Sequence, residues 1–208
     1  VKHRSLLALT AGAVLLVLAG AFWLSHGLRG PAPVLGPTVN LLDDGRPLPE
    51  FHLPSTQGEF SNATLRGHWT FVLFGYTHCP DVCPTSLSLL ADVTRQLQGK
   101  AAPPQVVFVS VDAPRDTIAL LKRYVPAFNP AFIGATGSDE ALKPLTRDLG
   151  VYFVRNVDEA AGSGSRSYSV DHTSSFFLMA PDGSLRAVFQ LPLEAGQMAR
   201  DTAAIMAR

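Results

Sequence analysis

The stretch WTFVLFGYTHCPDVCP, Trp69 to Pro84, decides the fold of this 208-residue chain. Its first half, residues 69–76, is an apolar run rich in aromatic and β-branched residues, short enough for a strand buried on both faces. Its second half carries both cysteines of the sequence, Cys79 and Cys83, with three residues between them. Residues four apart on a helix share a face, with Cβ atoms about 5–6 Å apart, so sulfurs at this spacing can converge on one point. Pro84 fits the first turn of a following helix, where its missing N–H costs nothing. Cys83 is therefore expected at or just before a helix N-terminus, where the dipole favours the thiolate and lowers the sulfur pKa.

Beyond this stretch, Leu87, Leu90, Ala91, Thr94 and Leu97 recur at helical spacing and predict a helix over 84–98 that ends near Gly99. A second buried strand follows at 105–112 (QVVFVSVD), then Ile118, Leu121 and Val125 at helical spacing. A shorter helix with Leu142, Leu145 and Leu149 on one face stops at Gly150, a residue free to adopt the left-handed cap. Strand, helix, strand, helix predicts an α/β fold with a parallel pair joined by right-handed crossovers. Upstream, from Leu41 to Trp69, short extended pieces alternate with turn signals at Asp44-Gly45 and Gln57-Gly58, which predicts an N-terminal β-ribbon. Downstream, 151–155 reads as a short strand and 156–170 as a polar, Gly/Ser-rich loop expected to be mobile. TSSFFLMA (173–180), the turn Pro181-Asp182-Gly183 and SLRAVFQ (184–190) predict a β-hairpin, followed by a last helix over 193–207.

Lysines plus arginines equal aspartates plus glutamates at 17 each. No basic field exists to neutralise phosphates, which argues against nucleic acid as a partner. Residues 5–28 form a run without acidic or basic charge, long enough to cross a hydrocarbon core of about 30 Å as a helix. Lys2 and Arg4 precede it, and Phe22 and Trp23 lie near its far end, where amphipathic rings favour the interface. The organisation expected is a transmembrane anchor over 1–28, a Pro/Gly-rich spacer over 29–40 and one domain over 41–208. Positive charge before the span puts that domain on the outer, periplasmic side of the cytoplasmic membrane. A cleaved signal peptide, with processing near Ala19-Gly20-Ala21, is the alternative.

A disulfide between Cys79 and Cys83 closes a very small loop and so constrains the unfolded chain little, which makes a purely structural bond a poor use of the pair. Labile, redox-active bonds are typically the strained or exposed ones. Haem attachment needs two intervening residues and a following histidine; here three intervene and His78 comes before. Two thiolates bind a soft metal, and a third ligand completes a trigonal site. Among six histidines, His3 and His26 belong to the anchor, while His52 and His68 read as solvent-facing. His78 abuts Cys79, and adjacent side chains diverge, so it is a supporting or docking candidate. His172 stands just before the apolar strand of the last hairpin, at a sheet rim, and spacing alone leaves it as an ordinary loop residue or a ligand.

YTHCPDVCP (76–84), SVDAPRDT (110–117) and VDHTSSFFLMAPDG (170–183), in this order behind an anchor, resemble the Sco/SenC family of copper-delivery proteins. The resemblance runs from about Leu48 to the C-terminus. It implies a thioredoxin-like fold, with the cysteine pair after the first core strand and the histidine at the start of a strand antiparallel to it. It also implies that Cys79, Cys83 and His172 bind copper. Soft thiolates select Cu(I), with Cu(II) left open, whereas structural zinc would need a fourth donor such as His78 or Asp81. Asp81 and Asp171 are candidates for tuning or orienting the ligands. Asp112, Arg115 and Asp116 are read as helix-capping or surface ion-pairing residues.

The function that the resemblance implies is that of a membrane-tethered metallochaperone. Such a protein would receive copper from an upstream donor and pass it to the oxidase subunit that carries the dinuclear copper site of cytochrome c oxidase, with loop 156–170 expected to move His172. The alternative is a thiol–disulfide oxidoreductase, with Cys79 and Cys83 as its redox pair, that reduces the oxidase cysteines before metallation. A third reading, a peroxiredoxin-like peroxidase, rests on the DDGRPLPEFHL and QGEF pieces found in extended thioredoxin-like proteins.

Overall fold

The computed structural model describes residues 17, 20, 34–99, 102–157 and 168–208. Residues Leu35–Arg208 form one compact unit and Val1–Val34 another. The expected anchor lies, save for Val17 and Gly20, outside the described residues, and among those described no helix is long and apolar enough to cross a membrane.

The apolar run forms strand β4 (Thr70–Gly75), every residue of which is buried. It lies between β5 (Gln105–Ser110), which runs parallel to it, and β9 (Phe176–Met179), which runs antiparallel. Continuous apolar faces on all three strands make this the centre of the core: Phe71 to Phe74, Val106 to Val109 and Phe176 to Met179 are all buried. Phe74 and Phe177 meet edge to face with centroids 5.9 Å apart. β10 (Leu185–Phe189) pairs with β9 around the expected turn, whose Gly183 has φ +87°.

The expected N-terminal ribbon is divided between the two edges of the sheet. β1 (Val39–Arg46) pairs with β10 on one side, while β2 (His52–Ser55) and β3 (Gly58–Ser61) form a hairpin on the other. A strand absent from the sequence reading, β6 (Ile133–Thr136), links that hairpin to β5. The eight strands run β1-β10-β9-β4-β5-β6-β2-β3. β6 is four residues long and contains Gly134, so it carries neither the length nor the unbroken β-branched character that marks a strand in sequence. Its glycine is required by packing, because a Cβ there would lie 2.9 Å from the Leu121 Cβ.

Among the described residues of this unit are five α-helices: α1 (Asn62–Leu65), α2 (Val82–Leu97), α3 (Ile118–Tyr124), α4 (Asp139–Leu149) and α5 (Ala195–Met206). The apolar stripe of α2 is buried at Leu87, Leu90, Val93 and Leu97, each side chain contributing about 1.5–3 kcal/mol by removal from water. α2 packs against α5, and α3 against β6. α4 ends at Gly150 with φ +68°, the left-handed cap expected there.

The segment between α4 and β9 departs most from expectation. β7 (Phe153–Val157) and β8 (Tyr168–His172) pair antiparallel as a separate two-stranded ribbon. Residues 156–157 and 168–170 are therefore strand rather than loop, and the expectation of mobility falls on residues 158–167, outside those described. His172 ends β8 and pairs with Phe153; it does not begin β9.

Candidate metal centre

β4 ends at Gly75, and the chain turns through Tyr76 to Pro80 before entering α2. The helix begins at Val82, two residues earlier than the proline suggested. Pro84 is tolerated in its first turn because N–H groups there have no helical acceptor. Cys83 consequently lies inside that turn and points under the end of β4. A Cβ on Gly75 would stand 2.6 Å from its sulfur and 2.7 Å from the Phe108 ring. Cys83 is 2% exposed, whereas Cys79 is only partly buried, and both are free thiols.

The two-stranded ribbon brings His172 to the same place. Its Nε2 is 3.4 Å from Cys83 Sγ. The ligand atoms of Cys79, Cys83 and His172 all lie within 4.8 Å of one another. His172 Nδ1 is 3.0 Å from the Thr173 carbonyl oxygen, which can only accept, so Nδ1 carries the proton and the Nε2 lone pair faces the sulfurs. The Tyr76 ring meets the imidazole edge on, with centroids 6.0 Å apart.

The two thiols differ in acidity. Burial pushes the Cys83 thiol far up, which corrects the expectation that the helix terminus lowers it. Burial also pushes Cys79 up, but backbone hydrogen bonds from Cys83, Asp81 and Val82 overcome it and leave Cys79 below its ordinary value. A bound cation would supply the charge that burial withholds from Cys83, so metal binding and deprotonation are linked.

The other sequence candidates occupy different ground. His78 is half exposed; its Nδ1 is 3.1 Å from Thr77 Oγ1 and 3.6 Å from Asp116 Oδ1. Asp81 occupies the N-cap position of α2 and accepts from the Thr85 hydroxyl at 3.3 Å. Asp171 is exposed and accepts from Asn156 Nδ2 at 2.9 Å. Among the described residues, neither His78 nor Asp81 joins the three-donor group. His52 lies exposed between Glu50 and Glu59, and His68 is exposed. His3 and His26 lie outside the described residues.

Sequence reasoning missed the support beneath the site. Asp112 and Asp116 are fully buried, and Thr117, not either aspartate, caps α3. Asp116 accepts from the Thr77 backbone N–H at 2.7 Å, the Thr77 hydroxyl at 2.6 Å and the Ser110 hydroxyl at 2.6 Å. Arg115, whose side chain is 6% exposed, donates to Asp112 at 2.5 Å and to the Tyr168 carbonyl at 2.8 Å. The helix-capping or surface role expected of Asp112, Arg115 and Asp116 is thereby replaced by a buried charge network. The available signal was two aspartates bracketing an arginine just after a strand with an apolar centre, Val106 to Val109, a position where burial comes before capping.

A family model described as SCO1/SenC matches residues 43–207. This chain belongs to the SCO1/SenC family. It is 38% identical over 139 residues to the mitochondrial SCO2 homolog of Bos taurus, a match covering 61% of this chain and 51% of that protein. The chain thus spans about half the length of that relative. It is 34% identical over 180 residues to an SCO2-like protein of Rickettsia felis, covering 85% of this chain and 86% of the relative. The crystal structure of Arabidopsis thaliana ScoI with copper bound superposes with a TM-score of 0.70 at 30% identity, over 76% of this chain and 97% of that one. The α/β body of this SCO1/SenC protein has the thioredoxin-like architecture expected of it.

Proposed function

We propose that this chain is a copper metallochaperone. It binds Cu(I) through Cys79, Cys83 and His172 and hands it to the dinuclear copper site of cytochrome c oxidase from the outer face of the cytoplasmic membrane. The observation that carries this reading is the convergence of two free thiols and one imidazole lone pair within 4.8 Å. Two thiolates and an imidazole suit Cu(I), while structural zinc is nearly always four-coordinate. The copper-bound Arabidopsis relative supports the choice of metal. The apolar run over residues 5–28, with Lys2 and Arg4 before it, is the proposed anchor.

Three donors leave room for an incoming thiolate or imidazole to join the ion before one of the chain's own ligands departs. Transfer is then a series of ligand exchanges in which the ion is never bare. Cys79, the more exposed and more acidic thiol, is the donor an acceptor protein reaches first. Anaerobic Cu(I) titration of the reduced chain and of its Cys79, Cys83 and His172 variants tests the reading: one ion per chain is expected, with affinity reduced in every variant. Full affinity in the His172→Ala chain would remove the imidazole from the site.

A second reading draws on the unequal acidity of the thiols. Cys79 has the exposure and lowered pKa of an attacking thiol, and Cys83 those of a buried resolving partner. Cys79 would attack an oxidase disulfide, and Cys83 would then displace the mixed disulfide, leaving this chain oxidised and the oxidase pair reduced for metallation. This activity does not require His172, so comparing His172→Ala in copper binding and in disulfide reduction separates the two.

A further inference from the structure

The copper reading requires an imidazole on one ribbon and two sulfurs on a different element to keep a fixed separation. The side chains of residues 112–116 touch both. On one side, Asp116 takes two hydrogen bonds from Thr77, two residues before Cys79. On the other, Asp112 accepts from the Tyr168 hydroxyl at 2.5 Å, and Arg115 donates to the Tyr168 carbonyl at 2.8 Å. Tyr168 begins the strand that His172 ends.

Arg115 also lies between rings from the two halves. Its guanidinium carbon is 3.5 Å from the Tyr168 ring centroid and 5.6 Å from that of Tyr76. The opposite strand of the ribbon is tied to the same place. Arg155 donates to the Val111 carbonyl at 2.6 Å, approaches Asp112 at 3.6 Å and forms a bidentate pair with Asp139 at 2.7 and 2.8 Å. The main sheet and the ribbon are separate hydrogen-bonded sheets. These side-chain contacts therefore fix the ribbon where strand pairing does not.

We propose that the 112–116 turn is the gauge that sets the distance between the sulfurs and the imidazole, with Tyr168, Arg115 and Arg155 as positioning residues for His172. The inference deepens the copper reading and rests on it for its functional meaning, but the placement it describes exists in the metal-free chain. Breaking the ribbon's attachment leaves the cysteines in place, since Asp116 holds Thr77 and α2 holds Cys83 independently of the ribbon, and lets the imidazole drift.

The test uses the full chain carrying Tyr168→Phe, which removes the hydroxyl bond to Asp112 and keeps the ring. Arg155→Gln serves as a second variant. In the metal-free protein, the NMR cross-peak between the Tyr76 and His172 rings should weaken or vanish in both variants. The core cross-peak between Phe74 and Phe177 should persist, which distinguishes drift from unfolding. Cu(I) affinity should fall about 10- to 100-fold, the range typical of residues that orient a ligand. Tyr168→Phe should add nothing further in a His172→Ala background. Retention of the Tyr76–His172 cross-peak in both variants, or additive losses of affinity, would overturn the gauge. Loss of the cross-peak together with unchanged Cu(I) affinity in His172→Ala would leave the gauge standing and overturn the copper reading.

Discussion

Cys83 Sγ and His172 Nε2 lie 3.4 Å apart although 89 residues separate them along the chain. That contact joins the first turn of α2 to the end of the β7–β8 ribbon, and every prediction about metal binding depends on it. Replacing His172 by Ala should leave a two-sulfur site whose Cu(I) affinity is at least tenfold weaker, about 1.4 kcal/mol. Cys83→Ser should remove tight binding. Competition against a Cu(I) chelator measures both, and an unchanged constant in either variant contradicts the site.

The unequal thiols should separate in a pH-rate profile. Cys79, below its ordinary value, should be alkylated by iodoacetamide with a midpoint under the ordinary thiol value of about 8.5. Cys83, buried and shifted upward, should stay unmodified over the same range until the chain is unfolded. Peptide mass spectrometry reads the two sites independently. Equal rates would refute the asymmetry.

Gly75→Ala places a methyl group 2.6 Å from the Cys83 sulfur and 2.7 Å from Phe108. Both neighbours are buried. The expected cost is about 1–3 kcal/mol of overpacking strain, read as a lower denaturant midpoint. Cu(I) affinity should fall with it, since the sulfur must shift to admit the methyl. A variant with full stability and full affinity would mean that the close approach carries no strain.

Asp139 is held below the usual carboxylate range by its hydrogen bonds to Arg155, against a smaller opposing effect of burial. A depressed carboxyl stabilises the fold above its unfolded pKa of about 3.9, and loses that contribution as pH falls through its lower folded value. The wild-type chain should therefore melt above Asp139→Asn near neutral pH, with the gap closing as pH drops below about 4. Half exposure of the Asp139 side chain makes the gap small and sensitive to salt. Differential scanning calorimetry across this range checks both dependences, and a gap independent of pH would remove the carboxylate as its cause.

Much of the body was legible because its signals are local. The apolar octet at 69–76, the stripe of α2 and the Gly150 cap each depend on a few neighbouring residues, and the structure places them within a residue or two of expectation. β6 was not legible, since four residues containing a glycine announce nothing until Leu121 is packed against them. The divided ribbon failed for a related reason. Edge pairing of β1 with β10 is a choice between distant partners, and no turn signal encodes it. At the site, the cysteine spacing and the family resemblance pointed to Cys79, Cys83 and His172. Asp112, Arg115, Tyr168 and Arg155 act only through one another, so none stands out as a motif.

The imidazole is carried on a two-stranded ribbon, whereas the sulfurs sit on the segment leaving β4 of the eight-stranded sheet and on the first turn of α2. The ribbon's exposed positions, Val154, Asn156, Ser169 and Asp171, can vary while Val170, buried in the main core, and Phe153 and Tyr168, packed against it, stay in place. Natural selection for faster release in one lineage, or for tighter retention in another, thus has a short stretch on which to act.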